Sequence, residues 1–231
     1  MFDLMANVKS CNYAEVMRAD TIFHEAAASI PQPFKMKSMT ASITDSPEVI
    51  MSWLFISHLF CKGQIMLHRR LVTMKSTSAD EDPISSSRKA YLDASLCTLQ
   101  IRHILDEETS AGGRFHAMHW RVSSIFDHHF LTATMILCSL LYRGETQHRK
   151  KEILTTLRST RAIWMRSSSI SQDARKAAET VAFVLVGAEG DRDYGIALDA
   201  ERNSTTMMGQ DMLINANGSS IGLCLDGEIM F

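Results

Sequence analysis

Along most of the chain, apolar residues return at three- and four-residue steps with polar residues between them, the spacing that turns one face of an α-helix toward a core. From Asn12 to about Ser29 the recurring positions are Val16, Ala19, Phe23 and Ala26–Ala27, and Pro31 and Pro33 then stop the helix. Ser46-Pro47-Glu48 is a start signal: a capping residue, a proline at the first helical position and an early acid. It opens a long helix, Pro47 to about Met74. The stripe of this helix runs Ile50, Trp53, Ile56 or Ser57, Phe60, Gln64, Leu67 and Leu71, while Leu54, Phe55 and Leu59 lie off it. A helix apolar almost all round must be covered on several sides.

Ser76 to Ser85 is polar and acidic, carries Pro83 and reads as a loop. Ser86 or Ser87 then caps a third helix to about Glu108, with Ala90, Ala94, Cys97, Ile101 and Leu105 on its buried face, and Gly112-Gly113 breaks the chain. A fourth helix, about Trp120 to Tyr142, buries Val122, Phe126, Ala133, Ile136, Leu137 and Leu140 and is closed by Gly144. A fifth, Thr146 to Arg166, buries Ile153, Leu157 and Trp164. The sixth, opened by Ser171, presents the small-residue face Ala174, Ala177, Ala178, Val181 and Leu185 and ends at Gly187–Gly190. No strand-period segment competes, so the predicted fold class is all-α, an irregular multi-helix bundle of about six helices.

Charge and glycine divide the chain near Gly190. Residues 1–189 hold 22 of the 24 Lys and Arg and 19 of the 26 Asp and Glu, about +3, whereas residues 190–231 hold 2 and 7, giving −5. Seven of the 11 glycines fall between Gly187 and Gly227. The expected organisation is a helical domain over 1–189 and a flexible, acidic, Gly-rich tail over 190–231, with at most a short extended segment at Ile221–Leu225.

The net charge of −2 gives no overall pull toward nucleic acid, and neither basic cluster, His68-Arg69-Arg70 nor His148-Arg149-Lys150-Lys151, is interleaved with aromatics. Both read as solvated helix faces, the second also as a candidate nuclear-import signal. The five cysteines, at 11, 61, 97, 138 and 224, are too widely spaced for a metal knuckle or redox pair and suit reduced intracellular thiols. The longest apolar stretch, Phe130 to Tyr142, is thirteen residues, so no membrane span is expected, and no signal peptide opens the chain. Fifteen methionines suit an irregular core.

Nine histidines invite a search for chemistry. The densest group is His116 and His119 with Asp127, His128 and His129, but His128 and His129 face about 100° apart on a helix and cannot both look at one ion. Solvated or core-edge histidines are therefore expected. No Gly-flanked nucleophile follows a strand, and Gly187-Ala188-Glu189-Gly190 ends a helix rather than opening one, whereas phosphate cradles need glycines before a helix N-terminus. The expected catalytic, cofactor-binding and metal residues are none. A metal-assisted enzyme at His116, His119 and Asp127 is the sharpest alternative.

Several stretches, taken in order, carry a resemblance: Tyr13 to Ala28 leading to Ile30-Pro31, Thr44-Asp45-Ser46-Pro47, Leu67-His68-Arg69-Arg70-Leu71, Ser87-Arg88-Lys89-Ala90 running into Asp93-Ala94, and Trp120. Asp127-His128-His129-Phe130-Leu131, Met135-Ile136-Leu137-Cys138, Ile163-Trp164, Ser171 and Ala174 to Ala178 complete the set. Across Tyr13 to Gly187 this resembles the regulatory middle region of fungal binuclear zinc-cluster transcription factors, in its C-terminal half. The resemblance implies a nuclear, non-catalytic, all-helical domain that modulates RNA polymerase II transcription through other proteins or a small effector. The family's six-cysteine zinc cluster has no counterpart in this chain, so no specific DNA binding is expected of it alone. With part of the domain missing, an apolar face including Phe55 should lie exposed and favour docking or self-association.

Overall fold

Ser46 and Pro47 start the helix around which the others are arranged: the Val49 amide donates to Ser46 Oγ at 3.4 Å and the Ile50 amide to the Ser46 carbonyl at 3.1 Å. The computed structural model describes the backbone of residues 13–73, 81–121, 123–146 and 148–204. It describes the side chains of these spans apart from 73, 81–83, 119–125 and 189–204. The described residues form α1 (Tyr13–Ala28), α2 (Pro47–Thr73), α3 (Glu81–Thr109), α4 (Ser123–Tyr142), α5 (Lys150–Ser167) and α6 (Gln172–Ser204). Short 3-10 turns lie at Gln32–Phe34, Thr40–Ser42 and His116–Arg121, and no strand occurs among the described residues. The all-α expectation holds.

The chain divides between Asp191 and Arg192 into two units, and the first of them holds the helical bundle. The hub of the bundle is α3, which packs along α2, α4 and α5. Trp53 and Leu54 from α2, Leu92, Leu99, Ile101 and Leu105 from α3, Phe130 and Leu137 from α4 and Ile153 and Leu157 from α5 are all nearly or fully buried in one cluster. A large aliphatic side chain moved fully out of water stabilises by about 1.5–3 kcal/mol, which is why this cluster sets the arrangement of the helices. The small-residue face of α6 is buried at Ala174, Ala177, Ala178, Val181 and Leu185, as its pattern predicted, and the Ala174 amide meets Ser171 Oγ at 3.2 Å. Within the core, Trp164 Nε1 donates to Thr134 Oγ1 at 3.2 Å and its ring stacks on Phe130, whereas Trp53 Nε1 is buried without a partner.

Four boundaries differ from the sequence reading. The third helix begins at Glu81 rather than Ser86, because proline is tolerated in a first helical turn and Ile84 is buried against the bundle. The fourth starts at Ser123, after the 3-10 turn His116–Arg121. The fifth starts at Lys150, not Thr146, because His148 takes a left-handed backbone (φ 64°) that ends helical continuity ahead of Arg149. The sixth does not stop at Gly187–Gly190 but runs to Ser204; glycine in a helix costs about 1 kcal/mol and does not forbid it. Of the proposed tail, residues 205–231 lie outside the described residues.

Gly144 closes α4 as expected, with φ 72° and the Glu145 amide returning to the Leu140 carbonyl at 2.9 Å. By length and composition Pro47–Val72 would pass for a membrane span, but 44% of its apolar window is buried inside the bundle.

Candidate functional site

A polar residue on a helix that is apolar almost all round needs a partner, and α2 contains three such residues, His58, Gln64 and His68, each nearly or fully buried. His58 finds His129 of α4, with Nε2 of the first 2.8 Å from Nδ1 of the second. Phe126, three residues before His129, lies against the His58 ring at 4.5 Å between centroids. One ring must donate an N–H and the other accept, so the pair holds only while at least one ring is neutral. Burial first, then the partner ring and Lys62, hold His58 down to about 4, and burial, Lys62 and His128 hold His129 down to about 4. Outside this pair, Phe55 meets Phe126 edge-on at 6.2 Å, and Phe55 and Leu59, one turn apart, are 37% and 45% exposed.

Gln64 and His68 converge on Asp20 of α1. Gln64 Nε2 donates to Asp20 Oδ1 at 2.8 Å, His68 Nε2 lies 3.4 Å from the same oxygen, and His24 Nδ1 lies 3.2 Å from it. Burial lowers the His68 pKa and Asp20 opposes that shift. The carboxylate thus serves as the joint between α1 and α2, sealed on one side by Phe23. That ring stacks on Phe60 at 4.9 Å and sits so close over Gly63 that a Cβ there would come 2.3 Å from it.

Between α3 and α5 lies a cleft of about 470 Å³, lined by Asp93, Cys97, Gln100, His103, Arg149 and Glu152 among others. Arg149 grips Glu152 through two bonds, Nε to Oε2 at 2.7 Å and Nη2 to Oε1 at 3.0 Å, and also pairs with Asp93. These partners raise the Arg149 pKa, and Arg149 holds the Glu152 carboxyl below the usual range. At the far wall His103 Nε2 meets Thr160 Oγ1 at 3.2 Å, and Arg166 pairs with Asp106. The cleft is polar, but its arginine is already matched by two carboxylates.

The structure does not assemble the metal-assisted alternative. His116 is exposed, with Nδ1 3.4 Å from the Thr109 carbonyl, and Asp127 pairs with Arg102 at 3.2 Å, its carboxyl raised by burial. His119 lies in the 3-10 turn, its side chain outside the described residues. Among the described residues no group of three or more His, Cys, Asp or Glu could hold a metal ion. His128 and His129 diverge as their spacing required: the first is exposed and the second faces His58. The basic clusters are not uniform solvated faces either. His68 is buried at the α1 joint, and Arg149 is taken up by Asp93 and Glu152.

The described cysteines Cys61, Cys97 and Cys138 are free thiols. Cys61 and Cys97 are distant in sequence, yet they become neighbours where α2 packs on α3, and each shifts the other, Cys61 up and Cys97 down. Sequence spacing is blind to this. The available signal is positional, since Cys97 stands on the predicted buried face of α3 and Cys61 one residue beyond Phe60 on α2.

No family model and no solved structure matches the chain. It is similar to the equisetin cluster transcription factor eqxF of Fusarium heterosporum, 35% identical over 193 residues that make up 80% of this chain and 27% of that protein. It is similar to the fusarisetin A cluster transcription factor fsa6 of a Fusarium species, again 35% over 193 residues, covering 80% and 25%. The Zn(2)-C6 fungal-type transcription factor mpsB of Macrophomina phaseolina is 30% identical over 200 residues, covering 81% and 27%. The chain therefore spans about a quarter of the length of these curated relatives. They are fungal cluster transcription factors, the group to which the ordered motifs pointed, and the cysteine spacing of a zinc cluster is absent from this sequence.

Proposed function

We propose that this chain is a non-catalytic regulatory region of the fungal cluster transcription-factor type, acting in the nucleus on RNA polymerase II transcription by binding other proteins or a small effector. The observation that carries the reading is the similarity over four-fifths of the chain to several fungal transcription factors. The relatives named for an equisetin and a fusarisetin A cluster support control of a comparable set of genes. The fold agrees with it: the buried polar groups of α2 face side chains of α1 and α4 across helix contacts, which suits a scaffold. The outward face of Phe55 and Leu59 is where docking or self-association would occur.

The test is a fusion of this chain to a heterologous DNA-binding domain in a fungal host carrying the matching reporter. A several-fold change in reporter RNA, in either direction, is the expected result. Reporter RNA equal to that of the DNA-binding domain alone, with the fusion present in nuclei, would overturn the reading. In a gel shift at physiological salt the purified chain alone should show no sequence-selective retention.

A further inference from the structure

A short, serine-rich turn, Ser168 to Ser171, joins α5 to α6 just beyond the pairing of Arg166 with Asp106 of α3. Its backbone stays wound: the Ser168 amide donates to the Met165 carbonyl at 3.2 Å and the Ile170 amide to the Ser167 carbonyl at 3.2 Å. Hydrogen bonds of this three-residue reach stack side chains three apart on one side, so Arg166 and Ser169 share a face. Ser168 Oγ donates to the Met165 carbonyl at 2.7 Å, and Ser171 Oγ receives the Ala174 amide, so both hydroxyls are tied to backbone. Ser169 is exposed, Ile170 after it is 88% exposed, and the Arg166 side chain is 57% exposed. Thr21 and Thr146 also stand three residues after an arginine, but neither is presented in this way. Thr21 lies inside α1 with its hydroxyl on the Met17 carbonyl at 3.0 Å, and Thr146 is 8% exposed.

We propose that Ser169 is a phosphorylation site for an ATP-dependent serine kinase that reads a basic residue ahead of the acceptor, with Arg166 as that residue. An exposed turn offers its hydroxyl without a helix having to unwind, and an exposed apolar neighbour at Ile170 gives the kinase a second handle. In the transfer Ser169 Oγ attacks the γ-phosphorus of ATP, the bond from that phosphorus to the bridging oxygen of ADP breaks, and the hydroxyl proton leaves to solvent. The products are phosphoserine, ADP and a proton. The phosphate then stands on the same face as Arg166, and as a doubly charged acceptor it draws that guanidinium away from the single carboxylate of Asp106. Modification of the turn thus loosens one tie between α3 and α5. The site and the transcriptional reading stand or fall separately.

The test incubates the full folded chain with magnesium ATP and a calmodulin-dependent protein kinase, which requires an arginine three residues before its acceptor, and maps phosphate by mass spectrometry over time. Synthetic peptides spanning residues 15–27 and 163–175 give the Ser169-to-Thr21 rate ratio that sequence alone produces. In the chain that ratio should be at least about tenfold larger, because Thr21 is reached only when α1 opens. Arg166→Gln should slow labelling of Ser169 by at least about tenfold while circular dichroism stays unchanged, since an exposed ion pair contributes little to the fold. In the labelled chain the phosphorus resonance of Ser169 should titrate at lower pH than in the labelled peptide, because Arg166 is held beside it. No phosphate on Ser169, a ratio equal to that of the peptides, labelling indifferent to Arg166→Gln, or equal titration in chain and peptide would each overturn the proposal.

Discussion

The hub around α3 and the joint between α1 and α2 are built on opposite terms. The hub is a dry assembly in which Trp53, Leu99, Ile101, Leu105, Phe130, Leu137 and Ile153 are at most 1% exposed. The joint has an apolar cluster of only Val16, Ala19, Leu67 and Leu71, beside Asp20, the Gln64 amide that donates to it and the His68 ring 3.4 Å away. Burial is non-directional and tolerates small shifts, whereas a carboxylate network demands its partners in place. The hub should therefore set global stability, and the joint should open by itself as a local unit.

The largest expected effect is in the hub. Leu99→Ala leaves a cavity where nothing solvent-exposed can relax into it, and should cost about 2–5 kcal/mol, read as a lower midpoint in chemical denaturation. Asp20→Ala strips the shared acceptor from Gln64 and His68 and should cost about 1–3 kcal/mol. Its signature is local: hydrogen exchange should speed up across Tyr13–Ala28 while the amides of α3 keep their protection. Uniform acceleration through both regions would break the comparison.

Acidification separates the regions further. His58 and His129 titrate at about 4 in the fold against an ordinary 6.5, so below 6.5 the unfolded chain binds protons that the folded pair refuses. Stability should fall as pH drops from about 6.5 to about 4 and level off below that. Most of it comes from the buried His58, and with the His129 part discounted for its partial exposure the loss is about 3–5 kcal/mol. His129→Phe should flatten that slope, as followed by thermal melts across the pH range. The smallest effect is Gly63→Ala. Helix propensity favours it by about 1 kcal/mol, but the new methyl displaces the Phe23 ring. Net stability should change by under about 1 kcal/mol while exchange in α1 accelerates.

Much of the hub was legible in the sequence, because its cause is periodic. The faces Ala94-Ile101-Leu105, Phe126-Ala133-Leu137-Leu140 and Ala174-Ala178-Val181 follow from helical spacing alone, and they are buried. The joint was not legible, since Asp20, Gln64 and His68 meet across two helices and nothing in the local pattern specifies which acid a buried glutamine will find. Gln64 does stand on the predicted apolar stripe of α2, and that anomaly is the available sign of a buried partner. The same holds for His58, His129 and the two thiols, whose partners are fixed by tertiary packing. Helix ends were least legible where tertiary contacts decide them, as at Ile84, whose burial carries α3 back into a polar stretch.

The two described indoles have an optical consequence. Trp53 holds its N–H in a dry wall without a partner, whereas Trp164 donates to Thr134 and stacks on Phe130. An indole's emission shifts to the red as neighbouring dipoles relax around its excited state, so Trp53 should emit further to the blue than Trp164. With Trp120→Phe removing the third indole, one spectrum reports two places in the core. Thr134→Val would blue-shift the Trp164 contribution alone and so assign each band to its residue.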